Sequence, residues 1–169
     1  MCSEISRHKN GTEWRNFYGR FKGKSLSAKQ SDALITEFRK YSLENISWDE
    51  NPQRNKIKLF EIFDAKSVWL EIGFGGGEHL IRQARLNPDI GFIGCDPYQN
   101  GVAKLMGKLS VNPCQNIKVY DGDVRNIFDV LARNSISKVF LLYPDPWPKK
   151  RRLRRRFVTQ EFLVPLYAS

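Results

Sequence analysis

The stretch Ser67–Gly77, SVWLEIGFGGG, carries the signals that decide the fold. Its first part, Ser67–Ile72, is a mostly apolar run typical of a strand buried in a parallel sheet. The glycine turn Gly73–Gly77 follows, and glycine lets the backbone approach a ligand closely. A helix is predicted from Glu78, and the N-terminus of a helix favours negatively charged groups. The stretch therefore predicts a strand, a ligand-facing turn and a helix in succession.

Strand and helix signals continue to alternate after this stretch. The dipeptides Asn87-Pro88 and Asn112-Pro113 break the chain between elements. The predicted strands are Ser67–Ile72, Ile90–Cys95, Ile117–Tyr120 and Lys138–Tyr143, and the predicted helices between them are Glu78–Leu86, Gly101–Leu109 and Val124–Ala132. Alternation of this kind predicts an α/β fold with a doubly wound, mostly parallel sheet.

The chain is predicted to divide at the boundary signal Asn51-Pro52. Residues 1–50 are expected to form a basic N-terminal arm and a short amphipathic helix, Ser27–Tyr41. The apolar residues of this helix are Leu34, Ile35 and Phe38. Residues 51–169 are expected to form the core domain.

The chain carries a large excess of positive charge. In 169 residues, 28 lysines and arginines face 18 aspartates and glutamates, which gives a net charge of +10. Such an excess steers a protein toward polyanions, above all where basic residues cluster. One dense cluster is Lys149–Arg156, and a looser one lies in the N-terminal arm; the alternative for each is a solvated surface. Hydrophobic residues make up 41% of the chain, which is enough for a packed core.

Cysteine spacing and hydropathy exclude several classes of protein. Cys2, Cys95 and Cys114 are odd in number and lack C-x-x-C spacing, so neither a disulfide framework nor a metal site is expected. A reducing, cytoplasmic location fits this usage. The N-terminal region lacks the apolar segment of a secretory signal, and no apolar stretch approaches the ~20 residues that span a bilayer. No association with a membrane is therefore expected.

An acidic side chain lies at or just after the end of each predicted strand. These residues are Glu71, Asp96, Asp123 and Asp145. Ligands of an open α/β sheet bind beyond the carboxyl ends of its strands, so the four carboxylates are expected to line one edge. Asp96 is placed to accept from two ribose hydroxyls, Asp123 from an exocyclic amine, and Glu71 is placed to bind a cationic methionyl end. With Gly73 and Gly75 in the turn, this set fits S-adenosylmethionine.

Other interpretations of these residues stay open. The turn matches the first two glycines of the dinucleotide fingerprint G-x-G-x-x-G at Gly73 and Gly75, but Glu78 stands at the third. A tight turn with a purely structural role is a further alternative. Asp123, taken alone, is equally well explained as a helix N-cap. His79 is predicted to be structural or solvent-facing.

The segment after the fourth predicted strand combines an acid, an aromatic ring and a run of positive charge. From Pro144 to Arg156 it reads PDPWPKKRRLRRR. Asp145 offers a carboxylate, Trp147 offers a ring that stacks on a base or braces the loop, and the basic run binds phosphates. At the mouth of a sheet this combination suits chemistry on a nucleotide within a polynucleotide.

Four segments resemble a known family. They are GRFKGKSLS (19–27), VWLEIGFGGGEHL (68–80), GCDPYQNGV (94–102) and LLYPDPWPKKRRLRRRF (141–157). They are similar to the bacterial tRNA (guanine-N7-)-methyltransferases of the TrmB type, which are class I S-adenosylmethionine-dependent enzymes. The resemblance runs from Phe17 to Phe157. The glycine turn is shared by most class I methyltransferases, whereas the PDPWPKKR block is specific to this family.

The resemblance implies a Rossmann-like fold, S-adenosylmethionine as cofactor, and methylation of guanine N7 at position 46 in the variable loop of tRNA. It implies that Glu71, Asp96, Asp123 and Asp145 bind the cofactor, and that Asp145 is also the catalytic residue. The implied RNA-binding residues are Lys149, Arg151, Arg152, Arg154, Arg155 and Arg156. Related enzymes are monomers or homodimers, and both states remain open.

The chain departs from the family's pattern at several positions. The family often has Glu at Asp96, and histidines at Arg152 and Leu153. Class I methyltransferases normally continue through three more strands, whereas this sequence stops at Ser169, so the sheet is expected to lack its C-terminal strands. The fourth strand would then be an unpaired edge, and incomplete folding is a hypothesis.

Guanine N7 carries an in-plane lone pair and no proton, so it attacks a sulfonium methyl group without prior deprotonation. The expected work of the protein is positioning and electrostatic stabilisation, with Asp145 opposite the cationic product. Pro113-Cys114-Gln115 suggests an alternative, the nucleophile loop of cytosine-C5 methyltransferases. Pro144–Trp147 suggests another, the loop of enzymes that methylate exocyclic amines. A basic RNA-binding module with a non-catalytic nucleotide pocket is the third alternative.

Overall fold

The structure is a computed structural model and describes residues 20–142, 144, 148–151 and 156–168. Helices and strands alternate in the predicted manner. The helices are α1 (Ala28–Tyr41), α2 (Leu59–Ile62), α3 (Glu78–Leu86), α4 (Gln99–Val111), α5 (Val124–Phe128) and α6 (Gln160–Ala168), and the strands are β1 (Ser67–Ile72), β2 (Ile90–Cys95), β3 (Ile117–Tyr120) and β4 (Lys138–Leu141).

The four described strands form one parallel sheet in the order β3-β2-β1-β4. Glu71 of β1 lies opposite Gly94 of β2 on one side and Phe140 of β4 on the other. The chain runs outward from β1 through β2 to β3 and then returns to the far side of β1 as β4. This order confirms the predicted doubly wound arrangement and puts the topological switch point between β1 and β4.

Successive side chains of β1 point to opposite faces of the sheet, and a hydrophobic core covers each face. Trp69 packs into the core formed with α1, α3 and α4, where Leu80 and Leu105 are fully buried. Leu70 packs into the second core, formed with α2, α5 and α6. Helices on both faces are what nearly continuous apolar parallel strands require.

The ends of several elements differ from prediction. Helix α4 begins at Gln99, two residues before the predicted start, because Tyr98 accepts from the amide of Gly101 and caps the helix. Helix α5 ends at Phe128 and β4 at Leu141, so both are shorter than predicted. Tyr143, the predicted last residue of the fourth strand, lies outside the described residues.

Helix α1 packs against α4, and its buried residues are Ala33 and Tyr41, joined by the half-buried Leu34 and Phe38. Ile35, which was predicted to belong to the apolar face, is 78% exposed. It lies one residue beyond Leu34, which rotates it about 100° away from the contact with α4. The division of the chain near residue 50 stays a prediction.

Candidate functional site

The candidate site lies at the carboxyl edge of the sheet, beside the switch point between β1 and β4. The amide of Gly73 donates to the carbonyl of Cys95 at 2.8 Å, and the amide of Asp96 donates to the carbonyl of Tyr120 at 3.1 Å. The segments that leave β1, β2 and β3 are therefore joined side by side. Open α/β sheets bind their ligands in this position.

The glycine turn has open space in front of it. Gly73 and Gly75 have φ angles of 75° and 57°, which side-chain-bearing residues rarely adopt. A Cβ atom built at either residue would meet no atom within 4 Å. The glycines at these positions thus leave the backbone accessible, as a nucleotide-binding turn requires.

Helix α4 holds the turn from behind. A Cβ at Gly101 would lie 2.3 Å from the carbonyl oxygen of Gly75, so only glycine permits this approach. Lys108, two turns further along α4, donates its ammonium group to the carbonyl of Gly76 at 2.6 Å. The turn is therefore fixed before any ligand binds.

Asp96 directly follows β2 and is 8% exposed. Its Oδ2 accepts from the amide of Gly75 at 2.8 Å, and its Oδ1 accepts from the amide of Tyr98 at 2.9 Å. Burial raises the pKa of this carboxyl, and the two backbone donors oppose that shift. Each oxygen keeps a free lone pair when ionised, so the carboxylate retains the capacity to accept from a diol.

Glu71 lies in β1 and is 2% exposed. Its Oε2 lies 2.7 Å from Nδ1 of His79, the second residue of α3. Burial raises the pKa of Glu71, and the hydrogen bond and charge of His79 partly offset that rise. The His79 ring also meets the Phe140 ring edge-on, with centroids 4.8 Å apart. This contact was not predicted, because nothing in the spacing of Glu71 and His79 shows that the start of α3 lies over the end of β1.

Asp123 forms the N-cap of α5, as one interpretation of the sequence proposed. Its Oδ1 accepts from the backbone amide of Arg125 at 3.0 Å, and the guanidinium of Arg125 pairs with both carboxylate oxygens. The predicted contact of Asp123 with an exocyclic amine stays a prediction.

The predicted catalytic and RNA-binding segment is described only in part. Asp145 and Trp147 lie outside the described residues, and so do Arg152, Arg154 and Arg155. Lys149 and Arg151 are exposed, and Arg156 is half-buried. The chain enters this segment from the carboxyl end of β4, next to β1.

A basic strap, residues 20–24, crosses the start of α4. The side chain of Asn100 accepts from the amide of Gly23 at 2.7 Å and donates to the carbonyl of Lys24 at 2.6 Å. The carbonyl of Phe21 accepts from the amide of Gln99 at 2.9 Å. The strap holds exposed Arg20, Lys22 and Lys24 near the loop that carries Asp96. These residues were predicted to belong to an arm, and their attachment to α4 was not predicted.

Two kinds of feature are absent from the described residues. In residues 20–142 and the shorter described segments, no cluster of three or more His, Cys, Asp and Glu side chains is suited to hold a metal ion. None of the helices in the described part of the chain is long and apolar enough to cross a membrane.

Comparison with known proteins gives strong matches. The tRNA (guanine-N(7)-)-methyltransferase of a Ruegeria species is 54% identical over 160 residues, which are 95% of this chain and 63% of the relative. The enzyme of the same name from Roseobacter denitrificans is 56% identical over 152 residues, which are 90% of this chain and 65% of the relative. The chain thus spans a little under two thirds of the length of these curated relatives.

A family model described as a putative methyltransferase matches residues 65–168. The matched region begins just before β1 and takes in the glycine turn, all four described strands and α6. Since this region is more than half of the chain, the protein belongs to the putative methyltransferase family.

Proposed function

We propose that this chain transfers a methyl group from S-adenosylmethionine to N7 of a guanine in tRNA, at position 46 of the variable loop. The observation that carries the proposal is the 54% identity, across 95% of the chain, to a relative named tRNA (guanine-N(7)-)-methyltransferase. The site geometry supports it, because an open glycine turn and two buried carboxylates converge at the switch point.

The chemistry of the site residues fits the cofactor. The open backbone at Gly73 and Gly75 accommodates a ligand at van der Waals distance. Asp96 accepts hydrogen bonds from the ribose diol, and Glu71 binds the methionyl ammonium group. Asp123 accepts from the adenine amine while it caps α5. The cofactor and the site are complementary, because the cofactor offers hydrogen-bond donors and positive charge where the protein offers acceptors.

S-adenosylmethionine, when bound, supplies a methyl group activated by a sulfonium charge. Guanine N7 carries no proton that the protein must remove, so the residues of the protein act by orienting the reactants and by electrostatic stabilisation. Asp145 is the proposed catalytic residue. Its carboxylate stabilises the positive charge that the base acquires, or accepts from the N1–H and amino edge of guanine.

The basic cluster Lys149–Arg156 binds the phosphates of tRNA. Its proposed contact residues are Lys149, Arg151, Arg152, Arg154, Arg155 and Arg156. A run of cations beyond the carboxyl end of β4 draws the polynucleotide toward the switch point, where the cofactor residues lie. The proposed substrate also favours the cytoplasm, where the protein acts as a monomer or a homodimer.

Cytosine-C5 chemistry at Cys114 is not supported by the geometry. Cys114 precedes β3 and therefore lies at the amino-terminal edge of the sheet, opposite the candidate site. Its thiol is buried, and burial raises its pKa, which disfavours the nucleophilic thiolate.

The direct test is methyl transfer from labelled S-adenosylmethionine to unmodified tRNA, followed by nucleoside analysis. We expect the label in 7-methylguanosine, and we expect Asp145→Ala to abolish transfer while tRNA binding persists. Label in a different nucleoside would reject the assignment. Cofactor and tRNA binding without transfer would favour the non-catalytic RNA-binding module.

A further inference from the structure

We infer that His79 is a positioning residue, which acts through its hydrogen bond to Glu71 and fixes that carboxylate for the methionyl ammonium group of S-adenosylmethionine. The inference rests on the proposed function and extends it to a residue outside the cofactor set predicted from the sequence. The Nδ1–Oε2 distance is 2.7 Å, which is typical of a charge-assisted hydrogen bond.

A carboxylate that is 2% exposed needs a partner inside the protein, because an unpaired buried charge is strongly unfavourable. In the described structure, the side-chain partner of Glu71 is His79. An ionised carboxylate only accepts hydrogen bonds, so the pairing puts a proton on Nδ1 of the imidazole.

The imidazole is itself held by two elements. It projects from the first turn of α3, and its ring meets Phe140 of β4 edge-on at an interplanar angle of 71°. Phe140 in turn packs against Trp69 of β1, with ring centroids 5.8 Å apart. The donor is therefore fixed from both sides of the switch point. This rigidity distinguishes a built contact from a chance surface pair.

Three other charged groups on described elements of the same sheet and helix have contacts of their own. Beyond β2, Asp96 accepts from two backbone amides. At the start of β4, the ammonium of Lys138 lies 3.9 Å from the centroid of Trp69. On α3, Glu78 pairs with Lys108. Among the described residues, His79 offsets the burial of Glu71, because burial raises the pKa of Glu71 and His79 lowers it.

Loss of the His79 hydrogen-bond donor shifts the pKa of Glu71 in a defined direction. Without His79 the pKa of Glu71 rises further, so a larger fraction of the carboxyl is neutral at a given pH and fails to attract a cation. Affinity for the cofactor then depends more steeply on pH and recovers as the pH rises.

Two variants separate the hydrogen bond from ring packing. His79→Phe keeps an aromatic ring against Phe140 and removes the donor. His79→Asn removes the ring and keeps an amide donor close to the position of Nδ1. Circular dichroism and thermal unfolding establish that each variant is folded before binding is compared.

The experiment measures the dissociation constant of S-adenosylmethionine by calorimetry from pH 4.5, the usual pKa of the Glu71 carboxyl, to about pH 7, below the α-amino pKa of about 7.7–8.0 at which the ligand's ammonium group loses its charge. We expect His79→Phe to bind roughly 10- to 100-fold more weakly than the wild type at the low end of this range, as for loss of a charged hydrogen bond, and the difference to narrow as the pH rises. His79→Asn should lose less affinity and keep a pH midpoint closer to that of the wild type.

Two results would overturn the inference. One is wild-type affinity for His79→Phe across the pH range. The other is an equal loss in both variants with an unchanged pH profile, because that pattern belongs to ring packing alone. A titration of the Glu71 carboxyl carbon by NMR, without cofactor, separates this inference from the proposed function. A higher titration midpoint of Glu71 in His79→Phe supports the pairing of Glu71 with His79, whether or not S-adenosylmethionine binds. A wild type that binds no S-adenosylmethionine would reject the proposed function and leave the pairing intact.

Discussion

At the scale of single residues, the glycine turn depends on close packing against Gly101 of α4. The 2.3 Å approach of a Cβ at position 101 to the carbonyl oxygen of Gly75 leaves no room for a side chain. Gly107, on the same helix, has no atom within 4 Å of the equivalent position. Position 101 of α4 therefore requires glycine, whereas position 107 has room for a side chain.

We predict that Gly101→Ala destabilises the protein by about 1–3 kcal/mol and weakens cofactor binding, because it displaces the turn. Gly107→Ala is the matched control and should be neutral or stabilise the helix by up to about 1 kcal/mol. Urea unfolding and calorimetry measure the two effects. Equal behaviour of the two variants would contradict the role of Gly101.

Glu71 gives a second prediction at this scale, on the pH dependence of stability. The usual pKa of its carboxyl is 4.5, and burial raises it in the folded protein. The folded state then holds its proton more tightly than the unfolded state. The contribution of Glu71 to the free energy of unfolding is therefore greatest below pH 4.5, and it is lost as the pH rises through the pKa of the folded state.

Glu71→Gln removes this titration. We expect the free energy of unfolding of the wild type, relative to Glu71→Gln, to fall as the pH rises above 4.5 and to level off above the folded pKa. Urea unfolding at a series of pH values measures the difference. A difference that is constant with pH would show that Glu71 has the same pKa in both states.

At the scale of elements, the basic strap is attached to α4 by the side chain of Asn100. Two hydrogen bonds from one amide join residues far apart in the sequence. We predict that Asn100→Ala releases the strap and speeds tryptic cleavage after Lys22 and Lys24 by roughly 5- to 150-fold, the range for loss of two ordinary hydrogen bonds.

Asn112→Ala, at the opposite end of α4, is the control for this experiment. Asn112 is exposed and caps the helix through its backbone amide. Cleavage at the strap should remain at the wild-type rate in this variant. If Asn100→Ala also cleaves at that rate, the attachment of the strap does not depend on Asn100.

The elements themselves were largely predictable from the sequence, because their signals are local. The apolar run Ser67–Ile72 and the glycines after it predict β1 and the turn, and the structure confirms both. The pairing of Glu71 with His79 and the attachment of the strap were not predictable. Each depends on how two elements pack, and neither hydrophobic periodicity nor motif spacing contains that information.

At the scale of the whole molecule, the net charge of +10 is the feature that bears on substrate binding. If Lys149–Arg156 binds phosphates, affinity for tRNA falls linearly with salt on a logarithmic plot. We predict that Arg151→Ala weakens binding to all tRNA sequences alike and reduces the salt slope by about 1. Binding isotherms at several salt concentrations measure this slope.

Arg133→Ala provides the control, because exposed Arg133 precedes β4 and lies at the opposite edge of the sheet. This variant should keep the wild-type salt slope. An equal reduction in both variants would mean that the charge acts through the overall field of the protein rather than through local contacts.

The strand order also has a consequence for how the chain folds during its synthesis. Strand β4 follows β1 only after two further strands and three helices, yet it pairs directly with β1. On a ribosome that adds about 5–20 residues per second, the nascent chain completes Asp96 and the glycine turn seconds before β4 emerges. During that interval one side of β1 has no partner, and an open strand edge invites wrong pairing. We expect this interval to be the step at which folding benefits most from a chaperone.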